Sequence, residues 1–423
     1  MANVCVIGLG YVGLPLAILA AEKGHSVEGI DLNAGIVNAV NSGKSHIKDA
    51  FLEREMKKLK GKISASTKYG AIKSSSIILV CVPTPVDERN IPDLSALKAS
   101  CESVAENLKK NQLVIIESTV FPGTTEEIVL PILEKSKLKA GKDFFLAHCP
   151  ERIDPGNEKW TIEKIPRVLG ALTANGAAKA KSFYKSILSA EILVLNSVKA
   201  AEAVKVTENS FRDINIAFIN ELARSFDHME IDIDEVIKGA STKPFGYMPF
   251  YPGPGVGGHC IPVDPYYLIE KAREKGFEHK LLSLSRKIND SMPQYVVEIL
   301  LKALGENKIT KQNAAISVLG VAYKADIDDA RESPSLQIIK ELNLKGIQPK
   351  IYDPFLPRYS NISSLDEALN ADAIILVTNH RQFSSLTAKK LAQKKVKVVI
   401  DTRNFLDKEK IIAAGMLYKG IGR

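Results

Sequence analysis

The chain has 423 residues, a length that suggests two or three domains at roughly 150 residues each. Hydrophobic residues make up 45% and charged residues 25%, the balance of a globular protein, which excludes a disordered or collagen-like chain. The formal charge of +8 permits an anionic ligand. The basic residues are scattered among acidic ones, however, so no nucleic-acid partner is expected, and the densest cluster, Lys57 to Lys62, reads as a solvated helix face.

Val4 to Ile7 is a short β-branched run, as expected of a buried parallel strand. It enters Gly8-Leu9-Gly10-Tyr11-Val12-Gly13, a G-x-G-x-x-G at a strand-to-helix junction. An apolar helix pattern follows through Leu14, Ala17, Ile18 and Ala21, with Gly24 placed to stop it. Val27 to Asp31 is a second strand ending in an acid. Gly8 permits the tight turn, Gly10 lets a pyrophosphate approach the backbone, and Gly13 lets helix and strand pack closely. The helix start offers free N–H groups to phosphate. Asp31 accepts from a ribose with free hydroxyls and repels a 2′-phosphate, so NAD is expected rather than NADP.

Ser76 to Val82, Leu113 to Glu117 and Phe144 to Ala147 read as further strands. Thr84, Ser118, Thr119 and Glu151 fall at their carboxyl ends, where open parallel sheets bind ligands. A turn role is the alternative for Thr84 and Ser118. From Val198 to His228 the pattern is helical, long enough at about 45 Å to connect domains and to offer a face to a second subunit. Lys205 and Asn209 share one face of it, which an exposed polar stripe would also explain.

Tyr251 to Pro265 is the least ordinary stretch. Gly253, Gly255, Gly257 and Gly258 leave little side-chain bulk, so a large ligand can approach the backbone. Cys260 is presented by this loop, as a reactive thiol or as a buried structural one, with Asp264 four residues on. His259 points the other way if the segment is extended. Near residue 313 the α/β pattern restarts, with strands at Ala315–Val321, Lys350–Tyr352, Ala373–Thr378 and Val396–Ile400 and a helix at Ser335–Leu344. This second doubly wound domain lacks G-x-G-x-x-G; its first turn is Gly320-Val321-Ala322-Tyr323-Lys324, where a lysine meets a phosphate instead. The expected architecture is α/β: two Rossmann-like domains, 1–196 and 309–423, joined by a long helix and a helical middle, 197–308. Two such domains imply two nucleotide ligands.

The cysteines Cys5, Cys81, Cys101, Cys149 and Cys260 form no C-x-x-C pair, so neither a metal site nor a disulfide scaffold is expected. Their odd number, and the lack of a basic region before Val4, lead us to expect a cytoplasmic protein. The longest apolar stretch, Tyr11 to Ala21, falls well short of the about 20 residues that span a membrane, so no membrane partner is expected.

Gly8 to Pro15, Cys149-Pro150-Glu151-Arg152, Ala201-Glu202-Ala203-Val204-Lys205 with Asn209, the Gly257-Gly258-His259-Cys260 loop, and Gly320 to Pro334 occur in this order. Together they resemble the UDP-glucose/GDP-mannose dehydrogenase family across essentially the whole chain. The resemblance implies a four-electron, NAD-dependent oxidation of a sugar C6 alcohol to a carboxylate, through a thiohemiacetal and a thioester on Cys260. It implies that Lys205 and Asn209 stabilise the oxyanion, that Glu151 positions or deprotonates the hydrolytic water, and that Thr119 and Asp264 orient water. By the same resemblance Gly8, Gly10, Tyr11, Val12, Gly13, Asp31, Thr84, Thr119 and Arg331 surround NAD. Glu151, Arg152, Lys205, Asn209, Tyr251, the loop glycines and Lys324 surround the UDP-sugar, in a homodimer. Ile261 and Val263 replace the phenylalanine and lysine common in UDP-glucose enzymes, and Pro155 stands where a second acid is common. Gly-Gly-His-Cys-Ile-Pro and Asp264-Pro265-Tyr266-Tyr267-Leu268 resemble the N-acetylhexosamine branch. The resemblance ranks UDP-N-acetylglucosamine first as substrate, UDP-N-acetylmannosamine second and UDP-glucose third.

Overall fold

A computed structural model describes residues 1–153 and 160–423; Pro155 lies outside them. The chain divides into two compact units, Met1–Glu208 with Tyr266–Glu278, and Asn209–Pro265 with His279–Arg423.

The first unit is built on β1 (Asn3–Ile7), β2 (Ser26–Ile30), β3 (Ile63–Ser66), β4 (Ile77–Val80), β5 (Leu113–Ile116), β6 (Phe145–His148), β7 (Arg167–Ala171) and β8 (Ile192–Val194). They form one sheet in the order β3-β2-β1-β4-β5-β6-β7-β8. It is parallel from β3 to β6, and β7 joins β6 antiparallel. The order reverses between β1 and β4, so their carboxyl ends open a crevice for a ligand. The helix Gly13–Glu22 is buried along nearly its whole length because it is apolar on every side. It shares a core with the strands and with Ala180, Phe183, Tyr184 and Ile187 of the helix Ala174–Ile187.

The second unit carries β9 (Ile316–Leu319), β10 (Lys350–Tyr352), β11 (Ala373–Leu376), β12 (Val398–Asp401) and β13 (Leu417–Gly420), all parallel, in the order β10-β9-β11-β12-β13. Ile219 and Ala223 of the long helix pack with residues of the helices Lys280–Glu306 and Pro334–Leu344 in one core, and Leu365, Phe383, Leu391 and Tyr418 lie in another. This sheet reverses order between β9 and β11, a second Rossmann-like arrangement.

Several strands are shorter at their carboxyl ends than the apolar runs suggest, whereas β6 and β12 each run one residue further, to His148 and Asp401. β4 stops at Val80 rather than Val82, and β11 at Leu376 rather than Thr378. The polar residues beyond them therefore stand in loops. The long helix has the expected bounds, Val198–His228, and the division between the units falls within it. Among the described residues no helix is long and apolar enough to cross a membrane.

Candidate functional site

The crevice end of the first unit begins at Gly8, whose φ of +87° places it in the left-handed region. A Cβ at Gly13 would lie 1.8 Å from Gly8 O, whereas one at Gly10 would meet no heavy atom within 4 Å. One glycine is thus required by the protein's own packing, and the other leaves space. Asp31 accepts from Leu9 N and Asn33 N, both at 2.9 Å, one on each carboxylate oxygen. A carboxylate offers about four acceptor directions, so two remain for a diol. No side chain caps the first helix; Leu14 N donates to Gly10 O at 3.1 Å, Leu16 N to Val12 O at 3.3 Å, and Pro15 has no N–H. Tyr11 and Val12 are half-buried at this turn. An NAD pyrophosphate over Gly10 and a ribose at Asp31 fit these features.

Thr84 and Ser118 make turn contacts. Thr84 Oγ1 donates to Thr119 O at 2.7 Å, and Ser118 Oγ to Val82 O at 2.7 Å. The backbone carbonyl of Thr84 also accepts from the buried Tyr267 hydroxyl. Thr119 itself is half-buried.

Beyond β6 the chain turns through Cys149-Pro150-Glu151-Arg152. Glu151 and Lys205 are both buried and lie 3.8 Å apart, carboxylate to ammonium. Arg152 is engaged with protein groups: its guanidinium meets Glu208 at 2.6 and 3.2 Å and Pro166 O at 2.7 Å. Glu202, one turn before Lys205 on the long helix, is buried and accepts from Gly123 N and Thr125 N at 2.5 and 2.7 Å.

In the second unit the glycine-rich loop is held by its own chain. Gly253 N donates to Asn220 Oδ1 at 2.9 Å, and Gly258 N to Arg331 O at 3.0 Å. A Cβ on Gly257 would come 2.6 Å from Tyr323 Cβ, and one on Gly253 would come 2.8 Å from an Arg403 guanidinium nitrogen. Packing against Tyr323 therefore requires Gly257, a reason beyond room for a ligand, whereas the Arg403 guanidinium at Gly253 is the movable end of a long side chain. Tyr251 is exposed, while Lys324 is half-buried. Arg331 forks onto Asp329 at 2.6 to 3.0 Å.

The segment after Gly258 is not extended, so strand alternation does not set His259 against Cys260. It turns into the helix Asp264–Glu274, with Cys260 O accepting from Val263 N at 3.1 Å and Asp264 N at 2.8 Å. The thiol residue thus stands one turn before that helix. Asn209 Nδ2 donates to Asp264 Oδ2 at 2.5 Å, and both residues are buried. The structure therefore pairs Glu151 with Lys205 in the first unit and Asn209 with Asp264 in the second.

Three features escaped the reading of the sequence. Arg403 follows the end of β12, donates Nε to Val377 O at 2.9 Å, and is brought down to about 10 by burial. Its signal was its place at a strand's carboxyl end. Asp353, beyond β10 as Asp31 is beyond β2, is fully buried and accepts from Val321 N, Ala322 N and the His380 ring. Those contacts occupy the acid that would otherwise meet a ribose. The third is the buried trio Glu117, Arg167 and Tyr184, which are far apart in sequence.

Three family models match: the UDP-glucose/GDP-mannose dehydrogenase family NAD binding domain at residues 2–188, its central domain at 199–291, and its UDP binding domain at 317–408. The UDP-N-acetyl-D-mannosamine dehydrogenase of Pyrococcus horikoshii is 36% identical over 100% of this chain and 99% of its own. The UDP-N-acetyl-D-glucosamine 6-dehydrogenase of Pseudomonas aeruginosa is 38% identical over 96% of this chain and 98% of its own. The solved structure of the Pyrococcus horikoshii UDP-D-ManNAc dehydrogenase superposes with a TM-score of 0.93 at 36% identity, covering 100% of this chain and 99% of that one.

Proposed function

Because this chain belongs to the UDP-glucose/GDP-mannose dehydrogenase family, and is an NAD-dependent nucleotide-sugar dehydrogenase, we propose that it oxidises the C6 hydroxyl of a UDP-N-acetylhexosamine to the uronate. UDP-N-acetylglucosamine is the favoured substrate, ahead of UDP-N-acetylmannosamine and UDP-glucose. Relatives named for both N-acetylhexosamines support the N-acetyl branch. The order of the two C2 epimers rests on the motif resemblance.

The observation that carries the mechanism is the contrast among five thiols. Cys5, Cys81, Cys101 and Cys149 are buried, and only Cys260 is partly exposed. Burial pushes the thiols of Cys5, Cys101 and Cys149 up to about 12, which makes them inert. Cys260 is the nucleophile. When bound, NAD+ supplies the acceptor for each of two hydrides taken from C6, and the hydroxyl proton passes to water as the first departs to give the aldehyde. The Cys260 thiolate adds to the C6 aldehyde, and the carbonyl electron pair moves onto oxygen. The Lys205 ammonium and the Asn209 amide stabilise that oxyanion, and Asp264 holds the amide. Oxidation of the thiohemiacetal leaves a thioester. Glu151 takes a proton from water as its oxygen bonds to the thioester carbon; the C–S bond breaks, the thiolate is restored and the uronate is released. Thr119 orients that water. Gly8, Gly10, Tyr11, Val12, Gly13, Asp31, Thr84 and Arg331 hold the cofactor. Arg152, Tyr251, the loop glycines and Lys324 hold the UDP-sugar.

In this reading the segments 1–196, 197–308 and 309–423 serve NAD, the thiol loop and UDP respectively. A homodimer forms on the long helix, where Phe211 and Phe218 are 46% and 54% exposed and stand two turns apart. The proposed compartment is the cytoplasm. NADH counted per sugar consumed tests the reaction, and a monomer in light scattering at micromolar concentration would refute the dimer.

A further inference from the structure

Behind the turn that carries Glu151 lies a charged cluster that the reaction above does not use. Glu117 follows β5, Arg167 opens β7, and Tyr184 stands on the helix Ala174–Ile187; none is more than 1% exposed. Arg167 donates to Glu117 Oε2 at 3.1 Å, and the Tyr184 hydroxyl donates to Glu117 Oε1. The same arginine nitrogen reaches Pro150 O at 3.2 Å, while the backbone carbonyl of Glu117 accepts from Glu151 N at 3.3 Å.

These last two contacts fall on one peptide group, the one that joins Pro150 to Glu151. Both of its polar atoms are held, so the plane from which the Glu151 side chain departs is set. A reciprocal contact adds to this, since Arg152 donates to Pro166 O, next to Arg167, at 2.7 Å. A buried ion pair is costly to desolvate, and a well-packed apolar substitute is often as stable. Stability alone therefore gives little reason for charge here, whereas orientation of the neighbouring peptide does.

We propose that Glu117, Arg167 and Tyr184 are positioning residues for Glu151, which aim its carboxylate at Lys205 and at the hydrolytic water. The proposal rests on the reading of Glu151 as the base of thioester hydrolysis. In that step water adds to the thioester carbon, the C–S bond breaks, and the water proton passes to Glu151. A displaced carboxylate slows this step and leaves earlier ones intact.

The test compares Arg167→Lys and Tyr184→Phe with Glu151→Gln in the full-length enzyme, using the UDP-sugar that the wild type turns over fastest. Lysine keeps the charge but lacks the planar guanidinium that places one nitrogen between Glu117 Oε2 and Pro150 O. Tyr184→Phe removes one hydroxyl and guards against a lysine variant that fails to fold. Each of the two is expected to lower kcat about tenfold, with the sugar KM within about twofold. The initial NADH burst should persist, the sugar-acyl adduct on Cys260 should build up in intact-mass spectra, and the rising limb of kcat against pH should move. Unchanged kcat per active site in both variants, beside a Glu151→Gln enzyme that accumulates the adduct, would overturn the proposal. A Glu151→Gln enzyme that turns over normally would instead remove the base assignment on which it stands.

Discussion

Gly10 and Gly13 are three residues apart in one turn, and the structure assigns them opposite sensitivities. In Gly13→Ala the new methyl group would lie 1.8 Å from Gly8 O, where ordinary contact begins near 3.4 Å. Two backbone segments would have to part by about 1.6 Å, on the spacing of normal contacts. Gly8 has little room to move, because its N–H is bonded to Ile30 O at 2.8 Å. Overpacking costs about 1–3 kcal/mol, and this clash belongs at the upper end. Alanine's helix preference returns about 1 kcal/mol at most. A net loss of about 2 kcal/mol corresponds to a fall in Tm of roughly 4–8 °C for a unit of this size. In Gly10→Ala no atom lies within 4 Å, so Tm without cofactor should stay within about 1 °C. The methyl group instead fills the space proposed for the pyrophosphate, and NAD+ affinity should fall about tenfold, about 1.4 kcal/mol. Thermal unfolding without ligand and calorimetric titration with NAD+ measure the two effects separately. A Gly13→Ala protein with unchanged Tm, or a Gly10→Ala protein with unchanged NAD+ affinity, would refute the reasoning.

Asp31→Ala should weaken NAD+ about tenfold through loss of the ribose acceptor; titration that finds unchanged affinity would show the first crevice to be misread. Cys260→Ser should bind NAD+ normally and form no uronate, and normal acid formation by this variant would exclude a thioester. His148 is fully buried, and burial pushes its ring down to about 3. Folded, it stays neutral below its unfolded value near 6.5, so the unfolded state binds the extra proton and stability falls as pH drops. Between pH 8 and pH 5 this group should cost the wild type about 2 kcal/mol. His148→Leu should lose that much less in urea unfolding over the same range; an identical pH dependence would contradict the assignment.

The first crevice was legible because its determinants are local. Strand, glycines, helix and terminal acid lie between Val4 and Asp31, and each glycine has a steric duty visible in the spacing. The long helix was legible for the same reason: no proline or glycine interrupts Val198 to His228. The trio Glu117, Arg167 and Tyr184 was not, because three charged or polar residues up to 67 positions apart carry no pattern until β5 and β7 bring them together. The loop glycines were legible as glycines but not for all their reasons. Tyr323, which requires Gly257, comes from a turn more than 60 residues further along the chain. Asp353 ends its strand as Asp31 does, and only the buried ring of His380 reveals why the two acids differ.

The central claim is a four-electron oxidation through Cys260 on a UDP-N-acetylhexosamine. Its most direct test is NADH counted per sugar consumed, across UDP-N-acetylglucosamine, UDP-N-acetylmannosamine, UDP-N-acetylgalactosamine and UDP-glucose. The account predicts two NADH per sugar, with UDP-N-acetylglucosamine the sugar consumed. Two NADH from another of these sugars would keep the mechanism and replace the substrate; one NADH per sugar, or none from any of them, would contradict the mechanism.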